Sequence, residues 1–179
     1  MQHVMLDLET MSVMSNAAIV AIGAVAFDPD VGELGRTFYC NVDLDSSAGY
    51  GLHIHGETVM WWLERSEEAR AALLDNRLPL DEALQKFSSY LHSLGEVCMW
   101  GNGATFDNVI LSNAYRAVGL ARPWSYKNDR DVRTIEELGQ GICNAAEEME
   151  RTGPHHHALD DAIHQAKYVS QIWQALRRG

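Results

Sequence analysis

Acids set inside apolar runs constrain this chain more than anything else in it. Asp7 and Glu9 stand in MLDLET, Asp107 in GNGATFDNVIL, and Asp161 follows His156 in HHALDDA. Burying an unpaired carboxylate is costly, so a fold that encloses these residues has to give them a common purpose. Several carboxylates converging on one point suit a divalent cation, and a histidine base beside that cation suits hydrolysis of a phosphodiester.

The order of elements narrows the architecture. His3 to Leu8 reads as a short strand. Ala18 to Phe27 is rich in β-branched residues and ends at the turn Asp28-Pro29-Asp30, and Arg36 to Val42 reads as a third strand. Three strands with short connections predict an antiparallel meander. Helical periodicity follows over Thr58 to Leu74, with Val59, Trp62, Ala69 and Leu73 apolar, and over Leu80 to Leu94. Val97 to Trp100 reads as a buried strand running into Gly101-Asn102-Gly103. Asp107 to Val118 reads as a helix with Gly119 as its C-terminal cap, Asp129 to Val132 as the last strand, and Leu159 to Leu176 as a long helix. The segment Asp43 to His55, rich in Gly and Ser, reads as a mobile loop at a cleft rim. Strands first, then helix and strand in alternation, predict an α/β fold. It is a mixed five-stranded sheet, antiparallel meander plus parallel strands, flanked by helices in the ribonuclease H-like manner. No repeat, linker or low-complexity tract divides the chain, so a single domain over 1–179 is expected.

Each acid also has an ordinary explanation. Residues two apart on a strand share a face, so Asp7 and Glu9 point together, either into a cleft or simply into water. Asp107 opens a helix, where an acid serves equally as a cap or dipole partner. Asp161 is more informative. On the last helix the apolar stripe runs through Ala162, Ala166, Val169, Trp173 and Leu176. At about 100° per residue, Asp161 lies roughly a quarter turn from that stripe and Asp160 roughly opposite it. Asp161 can therefore look into a cleft while Asp160 belongs in water. His155, His156 and His157 follow Gly153-Pro154 on the loop entering this helix. They fit a loop without a role, a transition-metal site, or a base, the last because a histidine titrates at about 6.5.

Taken together the motifs resemble those of the DEDDh family of 3'→5' exonucleases. Asp7-Leu8-Glu9-Thr10 is similar to the family's first motif, and Asn102 to Leu111, with Asp107, resembles the second. The H-x-A-x-x-D pattern of the third fits His156 to Asp161. The alternative register, His155 with Asp160, puts His157 where the family has a small residue. Within the family, GETVMWWLERSEEAR and NDRDVRT resemble the phage exonuclease A group and its bacterial exoribonuclease relatives. The resemblance implies two Mg²⁺ or Mn²⁺ ions on Asp7, Glu9, Asp107 and Asp161, with His156 as the general base. It implies attack on the 3' ends of single-stranded DNA or RNA, with DNA favoured by the phage-like similarity, and release of 5'-mononucleotides. Backbone groups near Thr10 and Met11 would hold the terminal nucleotide, and Met11 would either wedge against its base or simply pack. Many relatives pair, which leaves a homodimer open.

Other contacts are read from the residues. Trp62 falls on its helix's apolar stripe and belongs in the core, whereas Trp61 falls off it and is free to stack a base. Arg130 and Arg133 are the nearest basic residues for phosphate contacts, unless they form surface salt bridges. The net charge of -11 argues against a protein that coats duplexes through a basic face. It does not argue against one that grips a few terminal nucleotides through bound cations. The competing functions are an oligoribonuclease acting on short RNA and a binding module that has lost catalysis. Four converging carboxylates that repel phosphate speak against the second. Cys40, Cys98 and Cys143 form no CxxC pair and read as reduced. MQHVMLDLE has no basic and apolar leader pattern, and the run Ala17 to Phe27 is too short to span a bilayer, so a cytoplasmic protein without membrane contact is expected.

Overall fold

The computed structural model describes residues 2–151, 153 and 155–178. Pro154, part of the turn expected before the last helix, lies outside them. The strands are β1 (Gln2–Thr10), β2 (Ile19–Asp28) and β3 (Glu33–Asn41). Then come the helices α1 (Leu44–Gly49), α2 (Gly56–Leu63), α3 (Glu67–Ala72) and α4 (Leu80–Leu94). β4 (Val97–Gly101), α5 (Asp107–Ala117), β5 (Asp129–Asp131), α6 (Val132–Gly139), α7 (Ala145–Glu148) and α8 (Ala158–Arg178) complete the chain. The sheet order is β3-β2-β1-β4-β5. β1 pairs antiparallel with β2 and β2 with β3, while β4 runs parallel to both β1 and β5. This is the mixed five-stranded sheet that the order of elements predicts.

β1 carries a different core on each face. Val4, Leu6 and Leu8 pack with Leu84, Phe87 and Leu91 of α4 and with Ile110 and Leu111 of α5. Met5 points the other way, into a second core with Val132 of α6 and Ala162, Ala166 and Val169 of α8. Alternation along a strand puts Asp7 and Glu9 on Met5's face. They therefore stand under α8, which crosses β1 and β2 and brings Asp161 to the same place.

Two elements depart from the sequence expectation. The helix expected over Thr58 to Leu74 is two, α2 and α3. Ser66 caps the second by accepting from Ala69 N, and the Arg70 guanidinium donates to the carbonyls of Leu63 and Arg65 at the end of the first. Side-chain capping divides what periodicity reads as continuous. The segment 43–55, read as a mobile rim, instead opens with α1. Asp43 caps it by accepting from Ser46 N, and Ser47 is buried with its hydroxyl donating to Ile19 O. The segment still reaches the rim through His55, whose amide donates to Met11 O. Among the described residues no helix is long and apolar enough to cross a membrane.

Candidate active site

Ligand oxygens of Asp7, Glu9 and Asp161 lie within 4.8 Å of one another. Asp7 and Glu9 come from the end of β1, and Asp161 from the first turn of α8. Glu9 is only 7% exposed and its Oε1 is buried without a hydrogen-bond partner among the described residues. Asp107 opens α5 beside them but does not cap it. Its Oδ1 accepts from Leu8 N at 3.2 Å, so the second motif is tied directly to the first strand. Gly101, where β4 ends, lets α5 approach this closely: a Cβ there would meet Asn108 Oδ1 and Asp107 Cβ.

Burial makes the cluster electrostatically costly. Desolvation pushes the Asp7 carboxyl up to about 7 and Glu9 to about 8, the charge of Asp7 adding to the rise at Glu9. Asp107 is raised well above the usual range by burial and then by Asp7. Gln165, one turn beyond Asp161 on α8, offsets part of this by donating from Nε2 to Asp7 Oδ1 at 2.8 Å. Arg151 makes an ion pair with Asp161. Neither Gln165 nor Arg151 was picked out by the sequence reading. The i, i+4 spacing from Asp161 was a signal for Gln165; nothing local marked Arg151. A set of hard carboxylate oxygens, one of them buried and unpartnered, fits a divalent cation by its donor chemistry.

His156 stands next to the tryptophans, its ring centroid 4.8 Å from Trp61 and 6.2 Å from Trp62. It has a positive φ of 63°, unusual for a residue with a side chain. Its neighbour His157 stacks on Tyr39 at 4.4 Å and pairs with Asp160 at 2.9 Å. Asp160 is therefore turned to a histidine rather than left in water as expected. Burial, then the positive charges of Arg65, His155 and Arg151, holds the His156 imidazole below its ordinary 6.5.

A cleft of about 410 Å³ opens beside Glu9, lined by Leu8, Thr10, Ser12, His55, Trp61 and Phe106 among others. Trp61 is 38% exposed and Trp62 is 4% exposed, as their positions on the stripe predict. The Arg65 guanidinium lies over the Trp61 ring, 4.2 Å from its centroid. Thr10 and Met11 are committed to the protein. Thr10 Oγ1 donates to Ser12 O and Thr10 O accepts from Trp62 Nε1, while Met11 N donates to Ala18 O and Met11 packs against the core. Arg133 lies over Gly103 in the second motif's loop and donates to Asn102 Oδ1. Arg130 lies in a different groove, with Trp100, Ile135 and Trp173, and donates to the carbonyls of Lys127 and Asp129.

The fold has close counterparts among solved structures. The nuclease domain of 3'hExo, a DEDDh family member bound to rAMP, superposes with a TM-score of 0.66 at 14% identity, over 97% of this chain and 92% of that one. Escherichia coli exonuclease I in complex with a dT13 oligonucleotide gives 0.59 at 16% identity, over 99% of this chain and 42% of that one. In sequence, an exodeoxyribonuclease of Enterobacteria phage T4 is 29% identical over 161 residues, 74% of this chain and 70% of the relative. Fold, motifs and relatives together define a 3'→5' exonuclease of the DEDDh type. More narrowly, residues 2–173 match the model of the Rv2179c-like 3'-5' exoribonuclease domain, and the chain belongs to that family.

Proposed function

We propose that this protein removes nucleotides singly from the 3' end of single-stranded nucleic acid, releasing 5'-mononucleotides. The observation that carries the reading is the convergence of Asp7, Glu9 and Asp161, with Glu9 lining a cleft shared with Trp61, Trp62 and Phe106. Asp7, Glu9, Asp107 and Asp161 would hold two Mg²⁺ or Mn²⁺ ions. Bound there, the ions would acidify the attacking water and stabilise charge on the departing 3' oxygen. The chain's own residues supply the rest. Gln165 fixes the orientation of Asp7. Trp61 offers an exposed ring face for the terminal base, a contact worth about 1–3 kcal/mol. Arg133, in no ion pair among the described residues, offers its guanidinium to a backbone phosphate. His156, neutral at pH 7 because burial lowers its affinity for protons, accepts the proton of the attacking water at a ring nitrogen.

The sugar is the open term in this reading. The sequence leans to DNA, the phage relative's name says DNA, and the family's description says RNA. Discrimination depends on how the 2'-hydroxyl is met. The polar side chains of His55, Glu57 and Thr58 are among those lining the cleft that could meet it. The test is degradation of 5'-labelled single-stranded DNA and RNA of equal length, with Mg²⁺, with Mn²⁺ or with chelator, using the wild type and Asp7→Ala. A ladder shortening from the 3' end, dependent on metal and on Asp7, is expected, and the faster polymer identifies the substrate. Cleavage of neither polymer in either metal would favour the binding-module reading instead.

A further inference from the structure

Arg151 is a cation inside the carboxylate cluster, and the hydrolytic reading gives it no work. It lies between α7 and α8, five residues before His156. Its guanidinium pairs with Oδ1 of Asp161, a residue whose carboxylate belongs to the cluster. The pair is mostly enclosed, the side chains of Arg151 and Asp161 being 24% and 13% exposed. Arg151 Nε is buried and has no hydrogen-bond partner among the described residues. Its charge also acts on Asp7, on Glu9 and on His156.

A carboxylate oxygen that ligates a hard cation faces it at about 2.0–2.6 Å. A guanidinium on the same carboxylate would then stand within a few ångströms of a divalent charge, a repulsion that a half-dry site screens poorly. The two positive partners therefore compete for Asp161. We propose that Arg151 is a built-in counter-ion: it offsets part of the cluster's negative charge when divalent cations are away, and it must leave Asp161 for the site to fill. Its displacement sets the apparent affinity for metal. The inference rests on the reading of these acids as a cation site.

The test is a calorimetric titration of the full chain with Mn²⁺, for the wild type, Arg151→Gln and Arg151→Lys, with melting curves in chelator and in saturating Mn²⁺. Linked equilibria of this kind commonly alter affinity by about fivefold or more. Arg151→Gln is expected to bind Mn²⁺ at least about fivefold more tightly, to melt below the wild type in chelator, and to melt with it in saturating Mn²⁺. Arg151→Lys keeps the charge and should bind like the wild type. Equal or weaker binding by Arg151→Gln, while the wild type binds Mn²⁺, overturns the counter-ion and leaves the cation site standing. Equally tight binding by Arg151→Lys and Arg151→Gln also overturns it, since charge would not be the cause. A wild type that binds no Mn²⁺ overturns both.

Discussion

His156 and Gln165 act on the site in separable ways. His156 is useful as a base only when neutral, and its environment lowers its pKa from 6.5. The acid limb of kcat/KM should therefore have its midpoint below pH 6.5, with the rate flat above it as far as this residue is concerned. His156→Ala should lower kcat by about 10²–10⁴-fold and abolish that limb while leaving Mn²⁺ affinity little changed. A limb that survives the substitution would assign it to another group. Gln165→Leu removes the hydrogen bond to Asp7 and leaves an oxygen of a buried acid without its donor. Partners of metal-ligating groups typically contribute about 10–100-fold to metal affinity or activity. The expected result is a loss in that range with the pH limb unmoved, so a profile of rate against pH tells the two residues apart. Trp61→Ala should instead raise KM for an oligonucleotide by about tenfold with kcat nearly constant.

Among the elements, the approach of α8 to the sheet is the most exacting. Gly23 of β2 sits where a Cβ would fall on the backbone of Ala158 and Leu159, the start of α8. Gly23→Ala must push that helix end away, and overpacking of this kind costs about 1–3 kcal/mol. Asp161 moves with the helix. A lower melting temperature together with weakened Mn²⁺ binding is expected, and loss of stability with metal affinity intact would show that α8 does not position the site. The same contact shows where sequence reading stops. The strands of the meander were legible because β-branched runs end at turn residues, and α4 because its apolar stripe is strict. That Asp7 and Glu9 share a face was legible from alternation, and that Asp161 lies beside its helix's stripe from the 100° step, whereas Asp107 was joined to them only by the family resemblance. A clash at Gly23 belongs to two elements more than a hundred residues apart, and no local pattern encodes it. The break between α2 and α3 was hidden for a related reason. It depends on the Ser66 cap and on Arg70 reaching back over two carbonyls, neither of which disturbs hydrophobic periodicity. α1 is too short to show a period and is held by Asp43 and Ser47 instead.

For the whole molecule, the buried acids oppose folding when no cation is present. Asp7 and Glu9 have folded pKa values near 7 and 8, far above the 3.8 and 4.5 of the free side chains. Between those limits the folded state binds more protons than the unfolded one, so stability falls as pH rises. His3, His156 and His164 act in the opposite sense, because their folded values lie below 6.5 and unfolding takes up protons in acid. Their effect is complete by about pH 7.5, where histidines are neutral in both states. The acids are left to dominate from there to about pH 8.5. Metal-free protein in chelator should therefore lose melting temperature between pH 7 and 8.5, by about 3 °C for each kcal/mol released in a chain of this size. Divalent cations hold the same acids ionised, so saturating Mn²⁺ should raise the melting temperature more at pH 8.5 than at pH 7 and flatten the decline. A chelated protein whose melting temperature is level or rising across this interval would mean that the acids are solvated rather than enclosed, and the cation site would lose its electrostatic basis.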